Sequence, residues 1–155
     1  MLCRGRRAPP AFSNCWSRDD GIAVSWATGR PLSVMVKLVV SEEETAALRT
    51  WLAAAEREPV SCDLARTELL RAVRRAAPDR VVQARAVLDS ITLMTVTTAT
   101  FEEAGRFDPT LLRSLDAVHL AAALSLGDDL EGIVTYDDRL AEAARANGVS
   151  VVSPA

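Results

Sequence analysis

Three acidic residues are the candidates for chemistry in this 155-residue chain. Asp137 directly follows a predicted buried strand, Asp116 lies in the first turn of a predicted helix, and Glu68 lies about one turn into another. Because open parallel sheets bind ligands outside the carboxyl ends of their strands, we expect these carboxylates near one edge. Carboxylate oxygens are the ligands that Mg²⁺ and Mn²⁺ prefer, so the pattern predicts a divalent metal site.

Each of these carboxylates also has a purely structural interpretation. Asp116 can complement a helix dipole, Asp137 can cap the helix that follows it, and Glu68 can belong to an ordinary solvated face. His119, on an apolar helical run, is more simply a satisfied core histidine or one that supports another ligand than a catalytic base. The sequence contains no glycine-rich phosphate loop, HExxH motif or GxSxG motif.

From residue 33 onward, short apolar runs alternate with amphipathic segments. Strands are predicted at 60–63, 91–96, 132–136 and 149–152, and helices at 41–52, 64–76, 78–88, from 98 or 100 onward, at 115–126 and at 137–147. Strands that alternate with such helices are typical of βαβ units. The sequence therefore predicts an α/β fold, a three-layer α/β/α sandwich around a central parallel sheet.

Local signals predict several helix ends. Ser41 and Glu44 form a capping-box pattern, Ser114 is a favourable N-cap for the helix at 115–126, and Gly127 is a favourable C-cap. Gly148 closes the helix at 137–147.

The net charge is −3, and it is unevenly distributed. Residues 1–32 carry five basic and two acidic side chains, whereas residues 33–155 carry 13 basic and 19 acidic ones. An acidic body can act on nucleic acid only through a metal ion or a local patch. Arg71, Arg74 and Arg75 are candidates for phosphate contacts, but an ordinary charged helix face is the default interpretation.

Residues 1–32 differ from the rest of the chain. They hold two of the three cysteines and three of the seven prolines and lack helical periodicity, so only 22–27 could form a short strand. Three cysteines without CxxC spacing argue against a zinc site and a disulfide framework, which favours a cytoplasmic location. No apolar run approaches the ~18 residues of a membrane helix, and no apolar segment follows the basic start as in a secretion signal.

Four stretches carry a resemblance to a known family. They are Ser33-Val-Met-Val-Lys-Leu38, Leu64-Ala-Arg-Thr-Glu-Leu-Leu70, Ser114-Leu-Asp-Ala-Val-His-Leu-Ala121 and Val134-Thr-Tyr-Asp-Asp-Arg-Leu140. Residues 33–155 resemble the PIN-domain ribonucleases, specifically the VapC-type toxins of toxin–antitoxin pairs. The resemblance implies a PIN-like fold, an Mg²⁺ or Mn²⁺ cofactor and metal-assisted hydrolysis of RNA. It also implies a cognate antitoxin and a homodimer as partners.

Carried over by position, the resemblance assigns both catalysis and metal binding to Glu68, Asp116 and Asp137. It assigns supporting roles to Ser33 and Thr135. The family's first strand ends in Asp-Thr-Ser, whereas the matching positions here are Pro31-Leu32-Ser33. The first metal-ligand aspartate is therefore missing, and the abrupt start of the match suggests that residues 1–32 derive from a shifted reading frame, a misassigned start or gene decay.

Two functions follow from this departure. The first is a metal-dependent endoribonuclease toxin, whose activity in this chain is expected to be low because one ligand is lost. The alternative is a catalytically inactive module, a decayed toxin that still binds its antitoxin.

Overall fold

The computed structural model describes residues 21–24, 34–54, 58–108, 110 and 112–155. The strands are β1 (Gly21–Val24), β2 (Glu58–Cys62), β3 (Thr92–Met94), β4 (Leu130–Val134) and β5 (Val151–Val152). The helices are α1 (Val34–Val39), α2 (Thr45–Ala53), α3 (Leu64–Ala76), α4 (Val81–Asp89), α5 (Thr98–Ala104), α6 (Ser114–Leu124) and α7 (Asp138–Ala146). Two 3₁₀ turns, Pro78–Arg80 and Gly127–Asp129, precede α4 and β4.

The five strands form one parallel sheet in the order β3-β2-β1-β4-β5. Ile133 and Val134 are neighbours on β4, yet they belong to two different hydrophobic cores. Since successive side chains of a strand point to opposite faces, the two cores lie on opposite faces of the sheet. Helices α1 to α4 cover the first core, and α6 and α7 cover the second. The predicted three-layer α/β/α fold is confirmed.

The central strand comes from the atypical first segment of the chain. β1 pairs with β2 on one side and with β4 on the other, so it joins the two halves of the sheet. The only strand predicted there, at 22–27, therefore exists, with shorter and earlier bounds. Pro31, Leu32 and Ser33 lie outside the described residues. The sequence from 25 to 33 contains no aspartate or glutamate, and its one charged residue is Arg30.

Three of the predicted caps are wrong. The capping box of Ser41 and Glu44 does not form: Glu44 occupies the N-cap of α2 without a side-chain cap, and its carboxylate instead accepts a hydrogen bond from Lys37. Ser114 is already the first residue of α6, which ends at Leu124, before Gly127. Gly127 has a positive φ of 59° and begins a 3₁₀ turn instead.

Other segments follow the sequence closely. α3 has the predicted bounds, and its inward face is formed by Ala65, Leu69 and Val73. In α4 the inward residues are Ala84 and Leu88, whereas Val82 is 76% exposed. None of the helices in the described ranges has the length and apolar content that a bilayer-spanning helix needs.

A buried cation lies inside the first core. Lys37 of α1 donates hydrogen bonds to Glu42 Oε2 at 3.0 Å and to Glu44 Oε2 at 2.6 Å. Its ammonium also lies 4.8 Å from the ring centroid of Tyr136. Burial alone would lower the pKa of Lys37, but the hydrogen bonds to Glu44 and Glu42 raise it. The lysine therefore stays charged and fixes the turn between α1 and α2.

Candidate active site

The three predicted acidic residues follow the carboxyl ends of β2 and β4, the two strands that flank β1, or lie at a helix start. Glu68 lies in the second turn of α3, which begins two residues after β2 ends at Cys62. Asp137 lies three residues after the end of β4 and caps α7. Asp116 lies in the first turn of α6. These positions match the edge at which parallel sheets bind ligands.

Asp116 is the most deeply buried of the three, with 1% of its surface exposed. Its Oδ1 atom is buried and has no hydrogen-bond partner among the described residues. Burial raises the pKa of Asp116, and the charge of Asp137 raises it further. His119 and Arg113 lower this pKa, and Glu68 raises it. The charges of Asp137 and Glu68 thus both act on Asp116, and together with burial they outweigh the nearby positive charges of His119 and Arg113.

Glu68 is held by a histidine. Its Oε2 atom lies 2.7 Å from His119 Nε2, whereas its Oε1 atom is buried without a partner among the described residues. The other ring nitrogen of His119, Nδ1, lies 3.3 Å from Cys62 Sγ. Burial alone would lower the pKa of His119, but the contacts with Cys62 and Glu68 raise it to about 9. His119 is therefore an imidazolium at neutral pH that donates to Glu68, which agrees with the interpretation of a satisfied, supporting histidine.

Asp137 has a structural role in addition to any chemical one. Its Oδ1 atom accepts hydrogen bonds from the backbone N–H groups of Arg139 and Leu140, both at 3.0 Å. The Asp137 backbone N–H donates to Thr135 Oγ1 at 3.1 Å, and Thr135 is 2% exposed. Thr135 thus contacts Asp137 through the backbone of that residue, and the cap fixes the carboxylate at the helix start.

The carboxylate oxygens at this site are the type of ligand that a divalent cation prefers, but few of them lie close together. Buried carboxylate oxygens without partners are unfavourable unless a cation satisfies them, and Asp116 Oδ1 and Glu68 Oε1 are two such atoms. Within the described ranges, however, no three histidine, cysteine, aspartate or glutamate side chains are grouped closely enough to hold a metal ion. Ser33, the other predicted supporting residue, lies outside these ranges.

Sequence reasoning missed the role of Cys62. This residue is buried at the end of β2 and closes a chain of contacts that runs through His119 to Glu68. The available signal was the position of His119 on α6, three residues after Asp116 and hence on the same helix face. The cysteine itself gave no signal, because its partner is 57 residues away in sequence.

Comparison with known proteins identifies the family. The family model of the PIN domain matches residues 33–146. Ribonuclease VapC47 of Mycobacterium tuberculosis is 40% identical over 126 residues, a match that covers 79% of this chain and 93% of the relative. Ribonuclease VapC46 of the same species is 42% identical over 123 residues, with the same two shares covered.

A solved structure agrees in fold. It is that of M. tuberculosis VapC20, described as a Sarcin-Ricin loop cleaving toxin, and it superimposes with a TM-score of 0.65 at 15% sequence identity. The match covers 87% of this chain and all of that one. The matched domain, the parallel sheet and the identity to two VapC ribonucleases lead to one conclusion: the chain belongs to the PIN-domain family and, within it, to the VapC-type ribonuclease toxins.

Proposed function

We propose that this protein is an endoribonuclease toxin that hydrolyses RNA phosphodiester bonds with a divalent metal ion bound by Glu68, Asp116 and Asp137. One observation carries the assignment of the site. Asp116 Oδ1 and Glu68 Oε1 are buried carboxylate oxygens without partners among the described residues, and the pKa of Asp116 is raised by burial and by its acidic neighbours. Such a site is short of positive charge, which a bound Mg²⁺ or Mn²⁺ ion would supply.

The protein's own residues prepare the site. His119 occupies one oxygen of Glu68 and leaves the other available, while the helix cap fixes Asp137 through one oxygen only. A bound metal ion supplies activation of water and neutralisation of the charge that develops on the scissile phosphate. Because carboxylates suit both Mg²⁺ and Mn²⁺, this donor set accepts either ion.

A second candidate function is a catalytically inactive toxin that still binds its antitoxin. The sequence between β1 and α1, residues 25–33, contains no carboxylate, so the end of the central strand contributes no acidic ligand. Loss of one ligand and one negative charge weakens the hold on a divalent cation. The cognate antitoxin and a second copy of the chain are the proposed protein partners, on the strength of family membership alone.

Cleavage of single-stranded RNA in Mn²⁺ distinguishes the two candidates. Three proteins are compared: the chain itself, the double variant Pro31→Asp with Leu32→Thr, and Asp116→Ala as the control for contaminating nuclease. Cleavage by the chain that Asp116→Ala abolishes supports an active ribonuclease with three carboxylates. Cleavage by the double variant alone supports a ribonuclease site that is incomplete at residue 31.

The remaining outcomes contradict the ribonuclease assignment. One is that neither the chain nor the folded double variant cleaves RNA. The other is that Asp116→Ala cleaves as fast as the chain itself, which would assign the cleavage to a contaminating nuclease and not to this site.

A further inference from the structure

The helix that carries Glu68 also carries an exposed basic face. Arg71, Arg74 and Arg75 of α3 are all exposed. No hydrogen bond or ion pair joins any of these three guanidinium groups to another described residue. The face stands out because residues 33–155 have an excess of acidic side chains.

Two of these arginines share the side of α3 on which Glu68 lies. At 100° per residue, Arg71 and Arg75 fall within about 60° of Glu68 around the helix axis, whereas Arg74 falls about 120° away. At a rise of 1.5 Å per residue, Arg71 and Arg75 follow Glu68 by about 4.5 and 10.5 Å along the axis. Glu68, Arg71 and Arg75 therefore form one stripe that begins at the candidate active site.

A contact with α1 fixes the far end of α3. Arg80, in the 3₁₀ turn, donates a hydrogen bond from Nη1 to the backbone oxygen of Val39 at 3.0 Å. α1 follows the central strand along the chain. The far end of α3 is therefore anchored beside the helix that precedes α2, and Arg71 and Arg75 lie between this anchor and Glu68.

Helix-dipole complementarity explains only part of the stripe. Basic residues in the last turn of a helix are stabilising, and Arg74 and Arg75 lie in the last turn of α3. Arg71 lies before that turn, and its position in register with Glu68 and Arg75 has no such explanation. Guanidinium groups bind phosphate oxygens in a bidentate manner.

We propose that Arg71 and Arg75 bind the phosphate groups of the RNA strand next to the bond to be cleaved, so that the backbone of the substrate follows α3 away from Glu68. This inference rests on the proposed ribonuclease function. It assigns the stripe to a polyanionic nucleic-acid backbone and not to an acidic protein partner.

The test measures the affinity for a short fluorescent single-stranded RNA of mixed sequence by anisotropy, without divalent metal ions, between about 50 and 200 mM salt. The variants are Arg71→Gln, Arg75→Gln and the pair. The matched control is Arg145→Gln, since Arg145 is exposed at the far end of α7, toward the amino edge of β5. Each phosphate contact contributes about 0.7 to the slope of log affinity against log salt for a single strand.

The expected result is a slope that is smaller by about 0.7 for each single variant and by about 1.4 for the pair, with no change for Arg145→Gln. Affinity should fall equally for unrelated RNA sequences, because phosphate contacts carry no base information. If the unchanged chain binds RNA and the two variants keep its slope, the inference fails while the proposed function stands. If the chain does not bind RNA at all under these conditions, the inference fails, whereas the proposed function is decided separately by the cleavage experiment in Mn²⁺.

An acidic peptide serves as a second probe, to test whether the stripe binds an acidic protein partner instead of RNA. Loss of peptide binding in the Arg71 and Arg75 variants, with RNA binding unchanged, would assign the stripe to a protein and overturn the inference.

Discussion

His119 Nε2 lies 2.7 Å from Glu68 Oε2, and the two side chains are 1% and 14% exposed, respectively. The contact couples a helix that follows β2 to a helix that precedes β4, across 51 residues of sequence. The pKa of His119, about 9, shows that the folded state favours the imidazolium form. The charge of Glu68 is therefore compensated from one side only, which leaves Oε1 for another cation.

Stability should depend on pH through this pair. The folded-state pKa of His119, about 9, exceeds the ordinary value of 6.5, so the contribution to stability is complete below pH 6.5. It is lost as the pH rises through 9. We expect the free energy of unfolding, measured in urea, to fall by on the order of 3 kcal/mol across this window. In the His119→Asn variant, the free energy of unfolding should not fall across this pH window. An equal fall in the variant and in the unchanged chain would contradict the assignment.

The same protonation can be observed directly. Because the chain has a single histidine, its ring resonances report His119 without assignment experiments. We expect the midpoint of the NMR titration near pH 9. A midpoint near the ordinary value would show that the ring does not carry the charge.

Removal of the Asp116 charge should stabilise the metal-free protein. Burial and the charges of Asp137 and Glu68 raise the pKa of Asp116, so its ionisation above that pKa costs folding free energy. Asp116→Asn keeps the shape and removes the charge. We expect Tm at pH 7 to rise by roughly 2–4 °C, the shift that about 1 kcal/mol produces in a chain of this size. A lower Tm would show that the carboxylate is satisfied by other means.

The two roles of Asp137 can be separated by two substitutions. Asn caps helices as well as Asp, whereas Ala loses the cap at about 0.5–2 kcal/mol. We expect Asp137→Asn to keep the stability of the metal-free protein and Asp137→Ala to lower it. If Asp137 binds metal, Mn²⁺ should raise the Tm of both variants less than that of the unchanged chain. Equal stabilisation by Mn²⁺ in all three would leave Asp137 with the cap alone.

Lys37 should contribute more to the free energy of unfolding than an exposed cation does. Lys37→Ala removes the partner of Glu42 and Glu44, and hydrogen bonds to charged groups contribute about 1.5–3 kcal/mol each. We expect a loss of at least 2 kcal/mol in urea unfolding. Arg106→Ala is the matched control, since the Arg106 pair with Glu103 is exposed on both sides and should contribute at most about 1 kcal/mol. Similar losses in the two variants would contradict the buried role.

The elements that could be predicted were those with strong local signals. α3 has the bounds that its apolar spacing and the following Pro78 indicate, and the alternation of strands and helices was sufficient for the fold class. The Ser41–Glu44 capping box failed for a physical reason, because the carboxylate of Glu44 pairs with Lys37 instead of capping α2. Ser114 lies one residue inside the N-cap of α6, and Gly127 lies two residues beyond its C-cap.

At the candidate site, single residues were predictable and their partners were not. Asp116 and Asp137 could be placed because each lies at the start of a helix. The contacts of His119 with Glu68 and Cys62 span more than 50 residues, and no local pattern encodes them. The central position of β1 in the sheet could not be predicted from its own residues either, since a segment without periodicity carries no signal of its position in a sheet.

The position of β1 also has a consequence for the order of folding. Gly21 pairs with Glu58 on one side and with Leu130 on the other, so β1 completes its pairing only with a strand more than 100 residues later in the sequence. Contacts this distant in sequence close slowly. The halves β3-β2 and β4-β5 can each form from nearer neighbours, and β1 then joins them. The last step of folding would thus be the insertion of β1 between β2 and β4, and amide exchange in β1 would report the opening of the whole sheet.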